Sequence, residues 1–222
     1  QNKAPELLSI QNLEQLAPEL REANTMVFRL GSPKGGNGGA QFALQRVDDV
    51  RDFFFFDNDI ESLCEEETLF IPTAPFAELF QFRLMGSLVE ANAVNLALAS
   101  GLLGSALNLD LPHPRNSPAT GKTTETFLVQ PTSGGPIWEH RKGQVELDGV
   151  FLARRNATWS LFVIEAKHGK KKSGDSLAKY KLVYAMQLLA KKALLPDGLT
   201  CVPIYMRSWT DRRMVKFLIA EC

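Results

Sequence analysis

Gln144-Val-Glu-Leu-Asp148-Gly-Val-Phe-Leu152 and Trp159-Ser-Leu-Phe-Val-Ile-Glu165-Ala-Lys167 flank a polar Arg154-Arg155-Asn156-Ala157 turn. Both runs read as strands, Gln144–Ala153 and Thr158–Lys167, joined as a hairpin. Successive strand side chains point to opposite faces, so residues 144, 146, 148, 150 and 152 share one face, polar at its start and apolar at its end. In the second run the face of Leu161 and Val163 continues into Glu165 and Lys167. Two apolar strands therefore end in acids, side by side. Charges at the ends of otherwise buried strands are costly unless they are paired or bind a cation.

A hard divalent cation takes oxygen ligands, and two carboxylates with a backbone carbonyl suit Mg²⁺. Asp148, Glu165 and the Ala166 carbonyl supply such a set. Lys167 follows on the Glu165 face, where an ammonium can hold an attacking water and stabilise developing negative charge. These are the parts of a phosphodiester-hydrolysing site: a Lewis acid, an activated water and a positive clamp.

Asp148, followed after sixteen intervening residues by Glu165-Ala166-Lys167, resembles the D-x(n)-E-x-K signature of the PD-(D/E)XK nuclease superfamily. The resemblance covers roughly residues 77–206. The residue before Asp148 is Leu147 where the family motif often has Pro, a departure many members share. The resemblance implies an α/β fold with a restriction-endonuclease-like αβββαβ core and a mixed central sheet. It implies a Mg²⁺-dependent endonuclease of restriction type, with Mn²⁺ able to substitute, acting on DNA, duplex rather than single-stranded. Two alternatives stand beside it. One is a structure-specific nuclease of repair, recombination or mobile elements; the other is a catalytically inactive DNA-binding module of the same fold. The resemblance also implies an acid from the first core helix, for which Glu90 is the candidate metal ligand. It implies a supporting polar residue on the helix after the Lys, where Gln187 fits, with Tyr180 and Tyr184 on its face. Glu146, on the Asp148 face, is a second-choice ligand or rim charge. An ordinary surface Glu-x-Lys pair, an Asp-Gly turn and a Glu90–Arg83 helix pair are the competing structural readings.

Outward from the hairpin, a strand is expected over Thr126–Gln130 before it. After it come a lysine-rich loop, a helix capped by Asp175 or Ser176 and running to about Lys192, and strands Thr200–Met206 and Met214–Ala220. Residues 76–103 read as one long buried helix, and Asn108–Glu125 as a connecting loop. The division expected is an extension over 1–75, for recognition or dimerisation, and a catalytic core over 76–222. Within the extension, residues 6–24 read as an amphipathic helix interrupted at Pro18. Thr25–Leu30 and Gln41–Val47 read as a hairpin about a glycine-rich loop holding Lys34.

The bulk properties fit a globular protein: 222 residues, 45% apolar, 23% charged, formal net charge zero. The charge is unevenly placed. Nine acids and one base lie between Asp48 and Glu67, and eight lysines and one acid between Lys167 and Lys192. Within the second run, Lys170, Lys171, Lys172 and Lys179 are the candidates to follow a phosphate backbone; a solvated face is the ordinary reading of such a run. Three cysteines without metal spacing point to a reducing cytoplasm, and no apolar stretch reads as a membrane span. Neither the glycine stretch at 31–39 nor Gly121-Lys122-Thr123 satisfies a phosphate-loop fingerprint. His113, His140 and His168 show no ligand spacing; His168 is placed to meet phosphate. The Phe53–Phe56 run and the 76–103 segment offer surface for a homodimer matching duplex symmetry.

Overall fold

Two positive-φ residues, Asn156 (φ 54) and Ala157 (φ 62), close the central hairpin. Both signs match the primed two-residue turn whose twist suits flanking strands. The flanking strands extend beyond the expected ones, over Trp138–Arg155 and Thr158–His168. In this computed structural model, residues 9–33, 39–64, 66–84, 88–111, 117–169, 175–192, 199–212 and 214–222 are described.

The elements in chain order are α1 (Pro18–Glu22), β1 (Thr25–Gly31), β2 (Gln41–Arg46), β3 (Phe54–Phe56) and α2 (Asp57–Ser62). Then come α3 (Phe76–Arg83), α4 (Glu90–Ala99), α5 (Leu102–Ala106), β4 (Ala119–Val129), β5 (Trp138–Arg155) and β6 (Thr158–His168). The chain ends with β7 (Ser176–Ala178), α6 (Tyr180–Lys192), β8 (Thr200–Asp211) and β9 (Met214–Glu221). The architecture is mixed α/β, sheet with peripheral helices. No helix among the described residues is long and apolar enough to cross a membrane.

The chain forms two units, each assembled from separated segments. The first comprises Gln1–Asp59, Lys122–Glu146 and Ser173–Ala193; the second comprises Ile60–Gly121, Leu147–Lys172 and Leu194–Cys222. β5 gives its first half to one unit and its second half to the other.

In the first unit, β1 pairs antiparallel with β2, Thr25 opposite Arg46, as the hairpin reading expected. On its other side β1 meets β5 in parallel at Gly31 and Arg141. Gly31 has φ +79, and a Cβ there would lie 2.2 Å from the Arg141 carbonyl oxygen, so only glycine permits this approach. The core gathers Ile10, Leu16, Met26, Phe28, Phe54 and Phe56. Several expectations change here. Pro18 starts a short helix at its first position instead of kinking a long one, where its missing N–H costs nothing. Ser176 belongs to a strand pairing antiparallel with β3, and the helix starts only at Tyr180. Phe54 and Phe56 are buried in this pairing and in the core, while Phe53 and Phe55 are partly exposed.

In the second unit the strand order is β5-β6-β8-β9. β6 is antiparallel to β5 and parallel to β8; β8 is antiparallel to β9. The expected long helix over 76–103 is instead three helices, α3, α4 and α5. Gly101, in the left-handed region at φ 84, turns the chain between α4 and α5. Ala93, Val94, Ala97 and Leu98 of α4 pack on Phe151, Phe162, Ile164, Val202, Ile204 and Met206. Gly149 lets α4 approach closely: a Cβ there would be 3.0 Å from Val94 Cγ1. This packing fills one face of the second unit's strands. Alternation leaves Asp148, Val150, Leu161, Val163, Glu165, Lys167, Tyr205 and Arg207 on the other face.

Candidate functional site

The β5–β6 ladder runs from Arg155–Thr158 to Gly149–Ile164. One step further, the next residues are Asp148 and Glu165. There the Ala166 backbone N–H donates to Asp148 Oδ2 at 2.9 Å. The hairpin thus gives up a backbone partner and places a carboxylate in its path. Continuing the register by one residue sets the two acids across from each other, on the face away from α4. Like charges at directly opposed strand positions destabilise a sheet.

Glu165 is buried, with 1% of its surface exposed, while Asp148 and Lys167 are partly exposed. On its other side, in the parallel register, Glu165 is paired with Tyr205, which is also fully buried. Lys167 is paired with Arg207, 2% exposed. A row of two acids and a tyrosine therefore adjoins a row of two cations. Burying an isolated charge costs several kcal/mol, even after relaxation. Such groups are retained where they compensate one another or a bound ion.

Arg207 was not legible as a site residue. Its strand was expected to end at Met206, whereas β8 continues to Asp211. Its Nη2 donates to the Gly169 carbonyl at 3.4 Å. Only the parallel pairing of β6 and β8 brings it beside Lys167.

His168 does not join the Asp148–Glu165–Lys167 face. It lies on the opposite side of β6 from Lys167, where its Nδ1 is 2.8 Å from Ser208 Oγ. Burial, and then the Arg207 charge, hold its pKa below the usual imidazole value. Glu90 is exposed in the first turn of α4, whose contacts lie on the filled face. The structure does not bring it together with Asp148 and Glu165. Among the described residues, no group of three or more His, Cys, Asp and Glu side chains is gathered as a metal would need. The donor set that remains is the pair of carboxylates and the Ala166 carbonyl. Hard oxygen donors of this kind fit Mg²⁺, with water completing the shell.

The other candidates are in the first unit. Glu146 is held by Lys122 Nζ at 2.8 Å and Gln144 Nε2 at 2.6 Å. The Lys122 hydrogen bond is the largest cause of its lowered pKa. Gln187 is exposed and lines a cleft with Thr126, Phe127, Glu139 and Lys191. Lys179 holds its ammonium 5.4 Å from the Phe55 ring centroid, and its backbone N–H donates to the Phe53 carbonyl. Lys170, Lys171 and Lys172, like Lys34 and His113, lie outside the described residues.

The fold and this face define a mixed α/β protein with opposed carboxylates beside paired cations on one sheet surface. The chain belongs to the family described as Domain of unknown function (DUF6997), which matches residues 58–217. That span contains Asp148, Glu165, Lys167 and Arg207, and omits β1, β2 and β3. No curated protein and no solved structure matches the chain.

Proposed function

We propose that this chain binds nucleic acid and hydrolyses its phosphodiester bonds at the Asp148–Glu165–Lys167 face, with Mg²⁺ as cofactor. The observation that carries the reading is the pair of carboxylates opposed at the opened end of the β5–β6 ladder, with Lys167 and Arg207 in the next row. The order of α5, β4, β5, β6, α6 and β8 supports it, because that is the αβββαβ order expected from the resemblance. β7 is an added strand of three residues.

In this reading Asp148, Glu165 and the Ala166 carbonyl hold the metal. When bound, Mg²⁺ acts as a Lewis acid on a phosphate oxygen and lowers the pKa of water. Lys167 orients the attacking water and stabilises charge developing on the phosphate oxygens. Arg207 adds fixed positive charge in the same row, inside a strand that cannot move aside. The burial of Glu165 lowers the local dielectric and strengthens its interactions with the metal and the neighbouring cations.

A second reading is a nuclease-like module that binds DNA without cutting it. It is favoured by one observation: no third acid or histidine joins Asp148 and Glu165 among the described residues. The restriction-type reading and the structure-specific reading share the same site and differ in their DNA contacts.

The test is cleavage of supercoiled and linear duplex DNA in Mg²⁺ and in EDTA, with end mapping. Wild type is expected to cut only with the metal. Lys167→Ala is expected to lower single-turnover cleavage about 10²- to 10³-fold, as loss of one transition-state donor does. Lys216→Ala is the control, since it removes only an exposed pairing with Glu67 and Asp211. Equal rates for the two variants would show Lys167 to be a surface charge. Binding without cleavage by wild type would establish the second reading.

A further inference from the structure

The first unit holds a cavity of about 100 Å³, lined by Arg29 of β1, Gln144 and Glu146 of β5 and Lys181 of α6. It is far smaller than the roughly 300–1,000 Å³ of sites for drug-sized ligands, and suits a single tetrahedral anion. Tyr180 and Tyr184 form another wall. Their hydroxyls are already used, donating to the Ile10 carbonyl at 2.6 Å and the Arg29 carbonyl at 2.9 Å.

Arg29 is different. The residue is partly exposed, but its Nε is buried and has no hydrogen-bond partner among the described residues. A buried donor left without an acceptor is costly, more so when charged. Glu146 does not relieve it, because its carboxylate is taken by Lys122 and Gln144. Of the charged lining residues Arg29 and Lys181 are cations and Glu146 is an acid, so the lining is positive by one charge, and Lys122 on Glu146 adds to it.

We propose that this cavity binds a phosphate group, presented by a nucleic-acid backbone or as a free phosphate, through Arg29 and Lys181. Planar guanidinium and phosphate oxygens form the paired, charge-assisted bonds for which Arg is suited. The site does not depend on the hydrolytic reading, because its residues belong to the first unit and neither Arg29 nor Lys181 is a proposed metal ligand or catalytic residue.

The experiment is done in EDTA, where no metal-dependent cleavage interferes. Inorganic phosphate binding is measured by calorimetry, and binding of a short fluorescent oligonucleotide by anisotropy over a range of salt. Arg29→Gln is expected to weaken binding about tenfold to a hundredfold, with Arg29→Lys recovering part of the loss. Weakened binding of inorganic phosphate identifies a free-phosphate site. Loss confined to the oligonucleotide, with the salt slope reduced by about one, identifies a backbone site. If Arg29→Gln melts as wild type does and binds both probes equally well, the proposal is overturned. If Arg29→Gln does not fold, Lys181→Ala replaces it, with unchanged binding again overturning the proposal.

Discussion

Asp148→Asn separates a cation site from a structural pair without any assay of cleavage. Asp148 and Glu165 lie one step past the Gly149–Ile164 rung. Directly opposed strand residues have Cβ atoms about 5 Å apart. Two unit charges at about 5 Å with an effective dielectric near 20 repel by about 3 kcal/mol, an upper bound before Lys167 and Arg207 offset it. Asn is nearly isosteric and keeps an oxygen to accept the Ala166 N–H, now at 2.9 Å from Asp148 Oδ2. In EDTA the variant is therefore expected to be as stable as wild type or more so, by up to about 3 kcal/mol. In Mg²⁺ the order changes. A ligand at about a hundred times its Kd stabilises by about 2.7 kcal/mol. For a chain of this size each kcal/mol moves Tm by about 2–4 °C, so wild type should gain about 5–10 °C. The variant should gain little. The assay is thermal unfolding of both proteins in EDTA and in saturating Mg²⁺. The reasoning is refuted if wild type shows no Mg²⁺-dependent rise, or if Asp148→Asn shows the same rise.

Two further outcomes concern the fold. Burial of His140, stacked on Phe127 at 4.6 Å, pushes its pKa from 6.5 down to about 4. The unfolded chain therefore binds the proton that the folded chain refuses, so stability is full above pH 6.5 and declines as pH falls towards 4. The loss amounts to about 3 kcal/mol, and urea unfolding at pH 5 and 7.5 should show a smaller pH dependence for His140→Leu. Ala157 holds φ 62 in the hairpin turn. Because left-handed geometry is strained for a residue with a Cβ, and glycine keeps the N–H that donates to Asp110, Ala157→Gly should stabilise by about 1 kcal/mol in the same assay; destabilisation would mean that glycine's greater freedom in the unfolded chain outweighs the strain relieved.

The central hairpin was legible because strand side chains have a period of two. Alternation in 144–152 and 159–167 assigns Asp148, Glu165 and Lys167 to a face without reference to any other element, and the structure keeps that assignment. The β1–β2 hairpin was legible for the same reason. The helical segments were less so. Residues 76–103 are apolar enough to hide their breaks, and Gly101 in the left-handed region separates α4 from α5.

What only the tertiary structure decided is what lies beside each strand. Local pattern cannot say that β6 pairs in parallel with β8, because the partners are joined through β7 and α6. That pairing makes Arg207 the neighbour of Lys167 and encloses Glu165 against Tyr205. Glu90 was chosen for its isolation among apolar residues, yet it is exposed, because the packing face of α4 is set by Ala93, Val94 and Ala97. His168, next to Lys167 in the chain, is turned from it by the same alternation that groups the acids. The sequence by itself determined which residues share a face within one strand, since backbone stereochemistry sets that period. The fold alone determined which strands and helices meet across each face, since that depends on burying apolar surface from distant parts of the chain.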